Sequence, residues 1–228
     1  MTYRCVATSV AGFIQQLSTA YIAHGYRYYA IRHIPKRKDP ERVDAKIVGA
    51  YELELSKWQR ARRKRAGLAN VQYIRHGHFA VLLASGPVGG HKFFRECPDY
   101  KDVQKKAIRY AGYSIGYSYS TNTKRRHASV RIDREQYLRV KAYLLDIATK
   151  RSAESLSEEL RTLRFEPYAR VARQYLTLLK AVNGERRRSG MPELPTTCLR
   201  LHRKSIFPFA ERPVAEEVSG GEPAPQRP

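Results

Sequence analysis

From Phe79 to Ala84 the chain runs six residues without a polar side chain, the pattern of a strand buried on both faces. Immediately upstream, Lys57, Arg60, Arg62, Arg63, Lys64 and Arg65 crowd one short segment. A cationic helix is thus set against the most apolar strand, and the remaining elements can be placed around that pair.

Tyr3 to Thr8 reads as a short strand. Ser9 is an N-cap for a helix whose apolar residues Val10, Phe13, Ile14, Leu17, Tyr21 and Ile22 follow the helical period, and Gly25 ends it. A second strand, Tyr26 to Ile34, precedes a helix from about Glu41 to Tyr51. The run from Tyr51 to Arg65 continues as helix, with Leu53 and Trp58 facing inward and the arginines outward, until Gly67 stops it. Val71 to Ile74 is a strand, and Asp102 to Ile108 a short helix. In Ala111-Gly-Tyr-Ser-Ile-Gly-Tyr-Ser-Tyr-Ser-Thr121, Tyr113, Ile115, Tyr117 and Tyr119 share one face and Gly112, Ser114, Gly116, Ser118 and Ser120 the other. A face so bare calls for something packed close behind it. The turn Thr121-Asn-Thr123 returns the chain as a strand from His127 to Ile132. Asp133 caps a helix over Arg134 to Lys150, Ser152 or Ser155 starts the next, and Pro167 breaks it. A last helix runs from Tyr168 to about Val182, closed by Asn183-Gly184.

These elements predict an α+β fold: an antiparallel or mixed sheet of about five strands, helices packed on one face, and a helical C-terminal part. The expected organisation is a domain over 1–151, a helical extension over 152–210, and a tail over 211–228 whose Pro, Glu, Gly and Ser give it the composition of a disordered segment.

The chain carries 43 Lys and Arg against 21 Asp and Glu, a formal charge of +22. Self-repulsion of that size opposes a compact state unless a polyanion relieves it. Nucleic acid, DNA or RNA, is the polyanion this favours. A membrane surface would call for an amphipathic helix with an apolar opposite face or a lipidation signal, and neither is evident. The three cysteines, Cys5, Cys97 and Cys198, lie far apart with no zinc spacing, which points to a reducing, cytoplasmic setting. Gln15 and Gln16 interrupt what would otherwise read as a signal core near the N-terminus.

Three features bear on chemistry. Arginine forks onto phosphate oxygens, and Ser56 to Arg65 contains no carboxylate to pair with its cations, so phosphate contact is expected there. Lys124, Arg125 and Arg126, and Arg186, Arg187 and Arg188, are further candidates of this kind. The face of Tyr113, Tyr117 and Tyr119 is either a stacking platform for unpaired bases or ordinary core under a helix. His76-Gly77-His78, read as continuous strand, puts two imidazoles on one face, where they would share a divalent metal such as Mg²⁺ or Mn²⁺. Tyr137 and Lys141 stand at i and i+4 on a helix, phenol beside ammonium.

In these two short motifs the chain resembles the HUH single-strand endonucleases, which include rolling-circle replication initiators, relaxases and REP-associated tyrosine transposases. The resemblance implies Tyr137 as nucleophile, Lys141 as its charge partner, and His76 and His78 as metal ligands. Gly77 stands where that family carries a bulky apolar residue. Glycine between two strand-like runs is also a hairpin signal; in that arrangement Val71 to Arg75 pairs with His78 to Ala84, His76-Gly77 is the turn, and the histidines diverge.

The function expected is therefore nucleic-acid binding, as a non-catalytic subunit of a nucleoprotein complex acting on single-stranded or structured DNA or RNA in a mobile-element or processing context. The alternatives are an HUH-type nicking enzyme and a structural RNA-binding protein.

Overall fold

The computed structural model describes residues 3–120, 124–203 and 206–209, with only the backbone of Ser120. The turn expected at 121–123 and the tail expected at 211–228 lie outside the described residues.

The chain folds as α+β, with two antiparallel sheets and a helical C-terminal part. Helix α1, Val10–Gln15, is capped by Ser9, whose hydroxyl accepts from the Gly12 amide. It runs on through a π-helical turn, Gln16–Tyr21, and a tight turn, Ile22–His24, to Gly25 at φ 94°. Strand β1, Tyr26–His33, is followed by α2, Pro40–Ala50, with Asp39 as N-cap. Helix α3, Lys57–Arg65, precedes β2, Val71–His76, and β3, Phe79–Ser85. After a short helix α4, Phe93–Glu96, come β4, Lys101–Asp102, and β5, Ile108–Tyr110, where a helix was expected. Strands β6, Tyr113–Ser120, and β7, Arg125–Ile132, form the expected hairpin pair. Helices α5, Arg134–Ile147, α6, Ala153–Arg161, and α7, Ala169–Arg188, follow, and Phe209 forms an isolated bridge to Ala7. Asn183-Gly184 does not close α7, because the helix is held to Arg188 by bonds that its last turn makes to neighbouring segments.

The larger sheet has the order β2-β3-β1-β4 and the smaller β5-β6-β7. The N-terminal segment forms an isolated bridge to β2 rather than a full strand, Ala7 donating to the Arg75 carbonyl and Arg75 to that of Cys5, both at 2.8 Å. Strand β3 is covered on both faces, as its apolar run requires. Val81 and Leu83 enter a core shared with α1, the smaller sheet and the C-terminal helices, while Ala80, Leu82 and Ala84 enter a second core with Leu53, Phe93 and Phe94. The first core also takes in Leu156 and Leu160 of α6 and Val171, Tyr175 and Leu178 of α7, so it runs across residue 151 without a break.

Helices α2 and α3 are not one helix. The chain turns at Glu52, φ 52°, which buries Leu53, and Ser56 then starts α3 afresh. That restart resets the helical phase. Trp58, expected to face inward, is 79% exposed.

Candidate nucleic-acid interface

Helix α3 buries none of its residues and so needs local supports. Ser56 and Gln59 form a capping box, the Ser56 hydroxyl accepting from the Gln59 amide and the Gln59 side chain from the Ser56 amide. Arg60 donates to the Leu55 carbonyl, Arg63 to the Ala69 carbonyl, and the Asn70 side chain to the Arg60 carbonyl. Two of the six cations are thus half-buried struts: Arg60 ties the first turn of α3 to the segment before it, and Arg63 docks the helix beside the start of β2. The other four, Lys57, Arg62, Lys64 and Arg65, are exposed and form no ion pair among the described residues. Trp58, Arg62 and Arg65 stand at i, i+4 and i+7, one stripe along the helix. An indole in line with two guanidinium groups offers a planar ring to a base and forks to the phosphates beyond it.

A cleft of 700 Å³ opens where α3 begins, lined in part by Tyr3, Tyr21, Tyr26, Gln59, Arg60 and Gln72. Its floor is internally bonded: the Tyr3 hydroxyl donates to Gln72 Oε1 at 2.8 Å, and Gln72 Nε2 donates to the Tyr26 hydroxyl at 3.2 Å. Burial raises the pKa of Tyr3 and of Tyr21, keeping both phenols neutral.

The tyrosines of β6 divide. Tyr113 is core: its ring meets Phe165 edge-on at 5.1 Å, its hydroxyl accepts from the Glu166 amide at 2.8 Å, and burial pushes its pKa up to about 12. Tyr117 is half-buried, donating to the Ile22 carbonyl at 2.8 Å. Tyr119 alone projects, 57% exposed. A three-ring platform does not form, because the face that carries the rings closes over the first core. Lys124, Arg125 and Arg126 are all exposed at the start of β7, with Arg126 within 3.4 Å of Gln104 Oε1.

Arg186, Arg187 and Arg188 are not a basic patch. Arg186 is 1% exposed and donates to the carbonyls of Pro192, Ala148 and Arg151 at 2.7, 2.8 and 3.1 Å, tying α7 to the end of α5. Arg187 pairs with Glu193, and Arg188 with Glu185. A buried guanidinium satisfied by carbonyls is a structural tie.

His76 and His78 do not share a strand face. The turn is Gly77-His78, with Gly77 at φ 57°, and His76 pairs across it with Phe79. This is a two-residue hairpin loop with glycine first. His76 Nδ1 is hydrogen-bonded to the Tyr110 hydroxyl at 2.7 Å, and His78 Nδ1 donates to the Ile34 carbonyl at 3.1 Å. The two imidazoles are turned to different partners, and among the described residues no group of three or more His, Cys, Asp or Glu is placed to hold a metal ion. These residues do not fit the metal that the resemblance implies. Helix α5 packs against α7, and Tyr137 lies half-buried at the edge of the first core. Burial raises the Tyr137 pKa, which disfavours the phenolate a nucleophile needs. No hydrogen bond or ring contact among the described residues joins Tyr137 or Lys141 to either histidine.

Trp58 is the residue that periodicity misplaced. The spacing Ser56-x-x-Gln59 is a capping-box signature that marks a new helix start, and the phase counted from it brings Trp58 round to Arg62 and Arg65. No described helix is long and apolar enough to cross a membrane. Compared with known proteins, the chain matches no protein-family model, no curated protein and no solved structure.

Proposed function

We propose that this protein binds nucleic acid through helix α3, as a non-catalytic subunit of a nucleoprotein complex acting on single-stranded or structured DNA or RNA. One observation carries the reading: four exposed cations without carboxylate partners among the described residues share, with an exposed indole, a helix that buries none of its residues. A helix kept for stability alone would bury a face or lace itself with ion pairs. Phosphates would take Lys57, Arg62, Lys64 and Arg65, with release of counterions, and an unpaired base would stack on Trp58. The formal charge of +22 would draw the polyanion in from a distance.

The test replaces Lys57, Arg62, Lys64 and Arg65 together by Gln, and Trp58 separately by Ala, and titrates each variant with single-stranded and hairpin oligonucleotides over a range of salt. The quadruple variant should bind every sequence more weakly, its salt slope falling by about 0.7 for each phosphate of a single strand that is no longer neutralised. Trp58→Ala should lower single-strand affinity by about 1–3 kcal/mol with stability changed by less than about 0.5 kcal/mol. Unchanged affinity and slope in both variants would remove α3 from any interface.

A further inference from the structure

The bare face of β6 is only partly covered. Ser114, Gly116 and Ser118 point away from the first core, and cross-strand pairing puts Arg131, Ser129 and His127 beside them on the same face. The loop between β4 and β5 covers Gly116, where a Cβ would come within 3.2 Å of the Ala107 Cβ. Past that loop a groove of 190 Å³ remains, with Ser114, Gly116 and Ser129 in its floor and Lys105, Arg131 and Arg170 in its walls. Arg131 and Arg170 also line an adjoining hollow of 310 Å³ that reaches Arg173.

No Asp or Glu among the described residues lines either hollow. All three arginines are exposed, and none forms an ion pair among the described residues. Arg170 is held over the groove by donating to the Ser118 hydroxyl. Arg170 and Arg173 also stand near the start of α7, where no acidic residue offsets the helix dipole, so their charges are opposed by the peptide groups as well as by each other. Ser114 is 4% exposed and lines the groove beside Arg131 and Arg170. A serine hydroxyl beside two guanidinium groups without carboxylate partners, with a third in the adjoining hollow, is a donor set suited to an anion.

We propose that this groove binds phosphate groups of a nucleic-acid backbone, a second binding surface on the smaller sheet. The forks of Arg131, Arg170 and Arg173 take the phosphate oxygens, Ser114 donates to one of them, and the serine and glycine floor lets the backbone approach closely. The proposal rests on the nucleic-acid reading of α3 for the source of the phosphates.

The experiment uses the full chain carrying Arg131→Gln with Arg173→Gln, two side chains that form no hydrogen bond or ion pair among the described residues, next to the quadruple α3 variant. Each is titrated with a single-stranded oligonucleotide and with pyrophosphate. The groove variant should bind the oligonucleotide about tenfold or more weakly, with a salt slope lower by about 0.7 for each phosphate released, and should weaken pyrophosphate binding. Wild-type oligonucleotide affinity in the groove variant, with weaker binding in the α3 variant, would overturn the groove and leave the α3 reading standing. Wild-type affinity in both variants would overturn both. Weakened binding of pyrophosphate alone would make the groove a site for free phosphates and overturn its assignment to a strand. Should the double variant melt lower than wild type, Ser114→Ala decides: weaker oligonucleotide binding supports the groove, and unchanged binding overturns it.

Discussion

Asp44 shows how much a single side chain carries here. Its carboxylate is buried and accepts from Arg75 Nε at 3.0 and 2.9 Å, from an Arg75 terminal nitrogen at 2.7 Å and from the Tyr73 hydroxyl at 2.6 Å. The same guanidinium donates to the Gly77 carbonyl at 2.8 Å, so one ion pair joins α2, β2 and the hairpin turn. Burial, reinforced by Asp44, pushes the nearby Cys5 thiol up to about 12. Asp44→Ala leaves Arg75 charged and buried, and unfolding titrations should show a destabilisation of about 3–5 kcal/mol; a change under about 1 kcal/mol would mean that water replaces the carboxylate. Histidine gives a pH dependence of definite sign. Burial, helped by Arg75, lowers the His76 pKa below 6.5, and burial with Arg63 does the same to His91. The unfolded chain therefore binds more protons than the folded one in the window just below that value, and stability is lost as pH falls through it. Melting temperature should drop between about pH 7 and about pH 5, and His76→Gln should flatten the drop. A profile unaltered by that substitution would show that His76 carries none of it.

Among the elements, β6 and α3 set a legible period against an illegible environment. Alternation identifies β6 as a strand and sorts its faces, but which tyrosine is covered depends on how far the core extends along it. Phe165 lies against Tyr113, while nothing among the described residues covers Tyr119 to the same extent. Tyr113→Ala should cost stability on the scale of a buried aromatic, about 3–5 kcal/mol, whereas Tyr119→Ala should stay within about 0.5 kcal/mol; equal effects on the melting curve would contradict this division of the strand. In α3 the capping box was readable, yet a helical period counted from Tyr51 carries through it and turns Trp58 the wrong way. At His76-Gly77-His78 the residues allow a strand or a hairpin. Pairing of β2 with β3 decides for the hairpin, because Phe79 has to sit opposite His76 for both apolar runs to stay in register.

Across the whole molecule, one core joins α1, β6 and β7 to α6 and α7. A chain ending at residue 151 would take Phe165 from the ring of Tyr113 and Gln174 from the backbone of Ile132, and should lack a cooperative melt and near-ultraviolet ellipticity. The full chain should unfold with coincident far- and near-ultraviolet transitions; a sharp melt from the shorter chain would show instead that the core divides there. The sequence by itself determined what is local or additive: the helix starts at Ser9 and Asp133, the apolar run of β3, the α+β order of elements and the charge of +22. Caps and periods act within a few residues, and charge sums without regard to position. Only the tertiary structure decided which arginines are anchors and which face solvent. A guanidinium has an apolar stem and five donors, so it can dock on carbonyls, as Arg60, Arg63 and Arg186 do, or stand in water, as Arg62, Arg65, Arg131 and Arg173 do. Which of these happens depends on where the folded chain turns its carbonyls: those of neighbouring loops for Arg60 and Arg63, and those at the end of α5 for Arg186; the spacing of the arginines holds no record of that.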